Sequence, residues 1–319
     1  MKKIIVFGGG TGLSCLLSGL KQFPLEVTTV VAVSDNGSST GILKEELNIP
    51  AVGDIGKVLI SMANADDEFL ELLGYRFSKD GSLYNHPIRN ILLAALIDMK
   101  GSLTEATRYM CSLLNIRGTV LPLTEEKVEL VGETHPGTDD YFGEVEVSKH
   151  ISNIIRLSYD HDIQISQEIS EKILSADLII FSPGSLYTSI LPHLIAPQVR
   201  KAINETSAPL MYVANLVTQP GETDEMSVSQ HVAVLNRRLD QRKIDCVIAN
   251  KGSIDQITSE RYKNLENKDL VLLDQDKLDA MGVATIADDL IRIDELGKIR
   301  HDELRTAFLI FSYLMKYVD

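Results

Sequence analysis

Short runs of apolar residues alternate along the chain with segments in which apolar residues recur every three or four positions. The runs show little alternation with polar residues, which is typical of strands buried on both faces of a parallel sheet; they lie at 4–7, 27–33, 178–181, 210–214 and 246–249. The periodic segments predict amphipathic helices, near 13–20, 40–47, 55–64, 66–74, 87–98, 103–115, 194–204, 225–239 and 304–315. This order predicts an α/β fold with a Rossmann-like, mostly parallel sheet and helices on both faces.

The stretch 118–158 has a different pattern. Its apolar runs are short and partly alternating, with Gly, Pro and Asp between them, and they lie at 119–123, 127–133, 143–148 and 154–158. Alternation broken by such residues is typical of antiparallel strands. We therefore expect a small antiparallel β insertion at 118–158 within a single α/β domain that covers 1–319.

The charge of the chain restricts its partners. The 319 residues carry a formal net charge of −14, and such a field repels nucleic acids and acidic membranes. The three cysteines, Cys15, Cys111 and Cys246, are far apart, and no apolar run is long enough for a membrane span. We expect a cytoplasmic protein without nucleic-acid binding or membrane insertion. A small anionic ligand stays compatible with this charge, because backbone N–H groups can bind one locally.

Four glycines and a threonine separate the first predicted strand from the first helix: Gly8, Gly9, Gly10, Thr11 and Gly12. Glycines let the backbone approach a ligand closely, and the N-terminus of a helix attracts anions through its unpaired N–H groups. The alternative is a tight turn without a ligand. The spacing is not that of a dinucleotide-binding fingerprint, since Leu13 stands where the third glycine is required.

Polar loops also follow the second and third strands. The first contains Asp35, Asn36, Ser38 and Ser39, which suit sugar or phosphate oxygens; Asp35 could instead hold Mg²⁺ beside a phosphate, or the loop could simply cap the next helix. The second contains Gly184 and Ser185. Loops at the carboxyl ends of parallel strands form a crevice, which is the usual ligand position in such folds.

A further helix begins near Gly53 with Asp54 in its first turn. Asp54 is either a capping residue or a carboxylate that faces the crevice. Lys57 follows one turn later and is either solvated or within reach of a phosphate. No histidine, cysteine or acidic cluster has metal-ligand spacing, and no catalytic residue is identified.

The stretches 8–12, 34–39, 53–55, 86–95 and 182–189 occur in the order found in the YvcK/CofD-like family, which the whole chain resembles. One branch of that family contains transferases that use Mg²⁺ to move a phospholactyl group from a nucleotide-linked donor. The YvcK branch, which this sequence resembles more, is associated with UDP-sugar binding, gluconeogenic growth and cell-wall morphogenesis. The resemblance thus implies a UDP-sugar as ligand, with Mg²⁺ as a possible companion of the bound diphosphate.

The resemblance also implies that Arg300 and Tyr262 hold the UDP-sugar. An arginine can bind a diphosphate with two hydrogen bonds and a tyrosine can stack on a ring; the alternatives are an ion pair of Arg300 with Asp302 or Glu303, and ordinary packing of Tyr262. Asn90 and Asn215 are candidate amide contacts. The chain departs from the family pattern at two places, where Gly56-Lys57 replaces Arg-Asn and Arg89-Asn90 replaces Gly-Asn.

These observations lead to a functional expectation. We expect a cytosolic protein that binds a UDP-sugar such as UDP-N-acetylglucosamine and regulates gluconeogenic growth, cell shape and cell-wall metabolism without catalysis. The first alternative is a Mg²⁺-dependent transferase of the CofD type, and the second is an NAD-binding oxidoreductase. The family resemblance also suggests a homodimer, and regulation implies a protein partner.

Overall fold

The computed structural model describes residues 1–138 and 140–318, and a seven-stranded parallel sheet is its centre. The strands of this sheet are β1 (Lys2–Gly8), β2 (Leu25–Val31), β3 (Thr119–Pro122), β7 (Leu178–Phe181), β8 (Leu210–Val213), β9 (Cys246–Asn250) and β10 (Ala284–Asp288). Ile4 to Phe7 of β1 are at most 1% exposed. Burial on both faces explains why β1, β2, β7, β8 and β9 appear in the sequence as continuous apolar runs. The edge strand β10 is partly exposed, and the apolar pattern did not predict it.

Helices cover both faces of the sheet, as the alternating pattern predicted. Those before the insertion are α1 (Gly10–Leu20), α2 (Ser38–Leu47), α3 (Gly53–Met62), α4 (Asp67–Gly74), α5 (Ile88–Lys100) and α6 (Leu103–Leu113). Those after it are α8 (Gln167–Leu174), α9 (Leu191–Ile195), α10 (Pro197–Glu205), α11 (Val228–Asn236), α12 (Gln256–Glu266), α13 (Gln275–Ala280) and α14 (Glu303–Tyr317), with a π-helical turn at Leu186–Ile190. In the part of the chain that the structure describes, no helix is long and apolar enough to cross a membrane.

The strand order places a crevice at the centre of the sheet. The order is β10-β9-β8-β7-β1-β2-β3, so the chain runs outward from β1 to β3 and then returns to the other side of β1 through β7. β1 pairs with β2 on one side and with β7 on the other. At such a reversal the connections leave the two central strands in opposite directions, and a gap opens at their carboxyl ends.

The small antiparallel sheet predicted within 118–158 is present, but two of the four predicted strands are not part of it. Three antiparallel strands exist, β4 (Leu130–Glu133), β5 (Tyr141–Phe142) and β6 (Arg156–Tyr159), in the order β5-β4-β6. The run at 119–123, however, forms the edge strand β3 of the main sheet, where it pairs in parallel with β2.

The predicted strand at 143–148 is also wrong, because this segment forms the helix α7 (Glu144–His150), followed by a 3₁₀ turn at Ile151–Asn153. Its alternating valines imitate a strand, whereas its charges suit a helix. Glu144 and Glu146 stand in the first turn and Lys149 and His150 in the last, as the helix dipole favours.

The C-terminal region contains a hairpin that the apolar pattern did not predict. Strands β11 (Ile291–Ile293) and β12 (Ile299–His301) pair antiparallel, and α14 follows at once. The buried His301 ring donates from Nε2 to the Ala214 carbonyl at 3.1 Å, which ties β12 to the end of β8. The hairpin therefore lies beside the carboxyl edge of the main sheet.

Candidate functional site

A crevice of about 540 Å³ opens at the carboxyl edge of the sheet, between the loops that follow β1 and β7. Residues from the first glycine loop to the C-terminal hairpin line it. Those that were predicted from the sequence are Gly9, Gly10, Thr11, Gly12, Asp35, Asp54, Gly184, Ser185, Asn215 and Arg300.

The glycine loop joins β1 to α1 and packs tightly against its neighbours. Gly10 has a φ of +67°, which favours glycine. A Cβ on Gly9 would lie 2.6 Å from Asp54 Oδ2, and one on Gly12 would overlap the Pro183 carbonyl. Gly8 is the last residue of β1, and a Cβ there would overlap Ser182. The glycines are thus required by packing as well as by any ligand.

The N-terminus of α1 lies at the crevice, which Gly10, Thr11 and Gly12 line. No acidic residue stands in the first turn of α1, and no side chain caps it. The Gly10 N–H is hydrogen-bonded to the Asp54 carboxylate, whereas Thr11 and Gly12 line the open crevice. The partial positive charge of the helix end therefore faces the space that a ligand can occupy.

Asp54 faces the crevice rather than capping α3. Burial raises the pKa of Asp54, and Lys57 opposes that rise through an ion pair of 2.8 Å between Lys57 Nζ and Asp54 Oδ1. Burial would lower the pKa of Lys57, but the Asp54 carboxylate raises it overall. Lys57 therefore forms a pair with Asp54 at the wall of the crevice, while its side chain stays 37% exposed.

Two glutamates that the sequence reasoning missed also line the crevice. Burial raises the pKa of Glu144 to about 7, with further contributions from Asp35 and Asp54. Burial likewise raises the pKa of Glu222 to about 7. Glu222 lies in the loop after β8, and its position after a predicted strand could have identified it as a candidate site residue. Glu144 comes from the insertion, and no local pattern pointed to it.

Ser185 and Asn215 shape the loop that follows β7. The Asn215 side chain accepts from the Gly184 N–H at 2.7 Å and donates to the Gly184 carbonyl at 2.8 Å. The Ser185 hydroxyl donates to the Glu222 carboxylate at 2.9 Å and accepts from the Thr188 N–H, at the same distance. Asn215 therefore positions the loop, and Glu222 holds the start of the π-helical turn through Ser185.

Arg300 reaches the crevice from the opposite side, on β12. Its Nε donates to Asp294 Oδ2 at 3.2 Å. The two alternative partners that the sequence offered for Arg300 have other contacts. Asp302 accepts from the Arg305 N–H at the start of α14, and Glu303 pairs with Arg292. Because only Nε of Arg300 is used in this ion pair, its two Nη groups remain for an anion in the crevice.

Several predicted site residues lie outside the crevice lining. The Tyr262 side chain is buried, and its hydroxyl accepts from the Ile299 N–H at 2.5 Å, so it supports β12 instead of facing a ligand. Asn90 and Ser39 are also buried, and the Asn90 amide donates to the Ser39 hydroxyl at 3.3 Å.

Asn36 and Ser38 likewise face another part of the molecule. They lie at a shallow groove between α2 and Glu129. The Asn36 amide donates to Glu129, and its carbonyl oxygen accepts from the Val145 N–H at 3.1 Å. Asn36 therefore connects its loop to the start of α7, next to Glu144, and is a structural link instead of a ligand contact.

The described residues do not build a metal cage of their own. No group of three or more His, Cys, Asp or Glu side chains in 1–138 and 140–318 is placed to hold a metal ion. The Asp54 carboxylate is already used by Lys57 and the Gly10 N–H. A magnesium ion in the crevice would therefore need ligand phosphates for much of its coordination.

Comparison with known proteins identifies the family. Residues 4–291 match the model of the family described as 2-phospho-L-lactate transferase CofD. A Thermotoga maritima protein is 39% identical over 311 residues, with 97% of this chain and 98% of the relative covered. The Bacillus subtilis protein named gluconeogenesis factor is 37% identical over 313 residues, with 98% of each chain covered.

A solved structure agrees with the sequence matches. A crystal structure of a Bacillus halodurans protein superposes with a TM-score of 0.91 at 36% identity and covers 97% of this chain and 99% of its own. Fold and sequence therefore point to the same group of proteins. The chain belongs to the CofD family, alongside relatives that are named gluconeogenesis factors.

Proposed function

We propose that the crevice binds the diphosphate of a UDP-sugar such as UDP-N-acetylglucosamine, and that the protein regulates gluconeogenic growth, cell shape and cell-wall metabolism without catalysing a reaction. Its similarity to gluconeogenesis factors supports the link to carbon metabolism. Regulation by a bound sugar also implies a protein partner that senses the liganded state.

One observation carries the proposal. Thr11 and Gly12 in the first turn of α1 line the crevice beyond the Gly10–Asp54 contact, and Arg300 lines the same crevice from the opposite side with two Nη groups that make no hydrogen bond within 1–138 and 140–318. Two phosphates in sequence fit such an arrangement, because the helix end can bind one and the guanidinium can bind the other with two hydrogen bonds.

The carboxylates of the crevice are compatible with an anionic ligand. Glu144 and Glu222 have pKa values of about 7, so each carries a proton for much of the time near neutral pH. Lys57 offsets Asp54. The crevice is therefore less negative than its acidic residues suggest, and a protonated Glu144 can donate a hydrogen bond to a ligand oxygen.

Calorimetric titration tests the proposal. We expect UDP-N-acetylglucosamine to bind with micromolar affinity without turnover, and Arg300→Met to lose roughly tenfold or more of that affinity. Arg292→Met is the matched control, because Arg292 lies directly opposite Arg300 in the hairpin but does not line the crevice. Absence of binding by any UDP-sugar, or equal affinity of the Arg300 variant and the wild type, would contradict the proposal.

The same titration tests the alternatives. If the protein is a transferase of the CofD type, we expect it to bind guanosine diphosphate in a way that requires Mg²⁺. The family match makes this transferase the second candidate. An oxidoreductase predicts tight binding of NAD. Each ligand is therefore titrated with and without Mg²⁺.

A further inference from the structure

Arg89 is a half-buried cation for which the described part of the chain supplies no partner. It is the second residue of α5, and its Nε is shielded from solvent without a hydrogen-bond acceptor. Burial lowers the pKa of Arg89, and repulsion from Arg76 adds to this. An unpaired, partly buried guanidinium is unfavourable. The arrangement therefore lacks an anion at this point.

The Arg89 side chain packs closely against Gly56 of α3. A Cβ on Gly56 would lie 3.0 Å from Arg89 Cδ and 3.3 Å from Arg89 Nε. This contact places the Arg89 side chain against α3, at the residue before Lys57.

Arg89 adjoins the crevice through Lys57. Lys57 lines the crevice and is paired with Asp54, while Arg89 interacts electrostatically with both. Lys57 is balanced by Asp54 and also interacts with Asp35, whereas Arg89 has no ion-pair or hydrogen-bond partner within the described residues.

We propose that Arg89, together with Arg76 and Lys57, forms an oxyanion-binding subsite at the α3–α5 end of the crevice. The subsite extends the crevice of the proposed function and rests on it. Its oxyanion is either the diphosphate itself or an acidic substituent on the sugar. A guanidinium binds either group with two parallel hydrogen bonds. Binding also relieves the repulsion between Arg76 and Arg89.

Titration of the Arg89→Met variant tests the subsite. The ligands are UDP, UDP-N-acetylglucosamine, UDP-glucuronate and inorganic pyrophosphate. If the oxyanion is the diphosphate, we expect the variant to lose about tenfold affinity or more for all four. If it is an acidic sugar substituent, we expect that loss for UDP-glucuronate alone. Affinities within about twofold of the wild type for every ligand would overturn the subsite.

Two further variants separate binding from folding. Arg117→Met is the control for net charge, because Arg117 is exposed and precedes β3 at the opposite edge of the sheet. Arg89→Met should be at least as stable to urea as the wild type, since it removes an unpaired buried cation. The double variant Gly56→Arg/Arg89→Gly moves the arginine across this contact to α3 and should recover affinity that Arg89→Gly alone loses; no recovery would contradict a role for the charge itself.

The ligand set also distinguishes the two proposals. Arg89-dependent binding of pyrophosphate without binding of any UDP-sugar would support the subsite and overturn the proposed function. Binding of UDP-sugars that is independent of Arg89 would overturn the subsite alone. Binding of none of the ligands would overturn both.

Discussion

At the scale of single residues, the crevice is defined by paired and partly neutralised charges. Asp54 is held by Lys57, Arg300 by Asp294, and Glu222 by hydrogen bonds from Ser185. Asp54, Arg300 and Glu222 all line the crevice, and each of them can form further hydrogen bonds there. Protonation of the glutamates is therefore expected to influence both stability and ligand binding.

Glu222→Gln should change how stability depends on pH. Burial raises the folded-state pKa of Glu222 to about 7 from an ordinary value of 4.5, so the stabilising contribution of the protonated form is complete below pH 4.5 and is lost as pH rises through 7. Glutamine resembles the protonated acid at every pH. We therefore expect the variant to gain stability relative to the wild type between pH 5 and pH 8, by at most about 3 kcal/mol, in urea unfolding.

The control for this series is Glu295→Gln, because Glu295 is exposed. Its stability difference from the wild type should stay constant with pH. A constant difference for Glu222→Gln as well would show that burial does not shift the pKa of Glu222.

Tyr262→Phe should weaken β12 without removing a ring. The change leaves the Ile299 N–H without its acceptor, and we expect a loss of about 1–2 kcal/mol in the free energy of unfolding. Because Arg300 follows Ile299, affinity for the UDP-sugar should fall as well. If Tyr262 only stacked on the ligand, phenylalanine would stack equally well and the affinity would not change. Tyr313→Phe in α14 is the control. Full stability and full affinity of the Tyr262 variant would contradict the supporting role.

At the scale of elements, the site depends on how the antiparallel insertion is attached to the main sheet. The fully buried Lys44 of α2 is paired with Glu129, whose side chain is 24% exposed, and donates to the Val128 carbonyl at 2.7 Å. Asn36 bridges Glu129 and the start of α7. These contacts place Glu144 over the crevice, so the attachment of the insertion affects the site directly.

Lys44→Met should loosen this attachment. It leaves Glu129 and the Val128 carbonyl without their cation, and we expect a loss of about 2 kcal/mol or more in the free energy of unfolding. Hydrogen exchange of the α7 backbone should become faster. Lys127→Met is a matched control, since the Lys127–Glu45 pair joins the same two regions at a more exposed position and should cost at most about 0.5 kcal/mol. Equal effects of the two variants would show that burial of Lys44 is unimportant.

At the scale of the whole molecule, a strongly acidic chain surrounds the proposed anion site. The net charge is −14, whereas the crevice offers a helix N-terminus and the side chains of Lys57 and Arg300. Distant charges act through solvent and are screened by salt, whereas groups in contact with a ligand are screened much less. The repulsion of an anionic ligand should therefore affect its approach more than its bound state.

The association rate constant of UDP-N-acetylglucosamine should consequently rise with salt. Between roughly 10 mM and 150 mM salt the Debye length falls from about 30 Å to about 8 Å, which removes most of the long-range repulsion. We expect an increase of roughly twofold or more in stopped-flow measurements. A rate constant that falls with salt would instead show that the local positive groups dominate the approach. Sucrose at matched viscosity is the control for solvent effects.

The sequence predicted the central strands and the residues at their ends because both depend on local pattern. Buried parallel strands need continuous apolar runs, and the loops after β1 and β7 follow directly from where those runs stop. The alternating valines of α7 show the limit of such reasoning, since helical charges at both ends and contacts to Asn36 decided the outcome.

What the sequence by itself determined is the α/β fold, the edge of the sheet at which the crevice lies and many of the polar residues there. Only the tertiary structure decided which of them face the crevice. The Tyr262 hydroxyl turns inward because the buried Ile299 N–H needs an acceptor. Glu144 and Arg300 line the crevice from segments that are distant in the chain, and local pattern contains no information about such contacts.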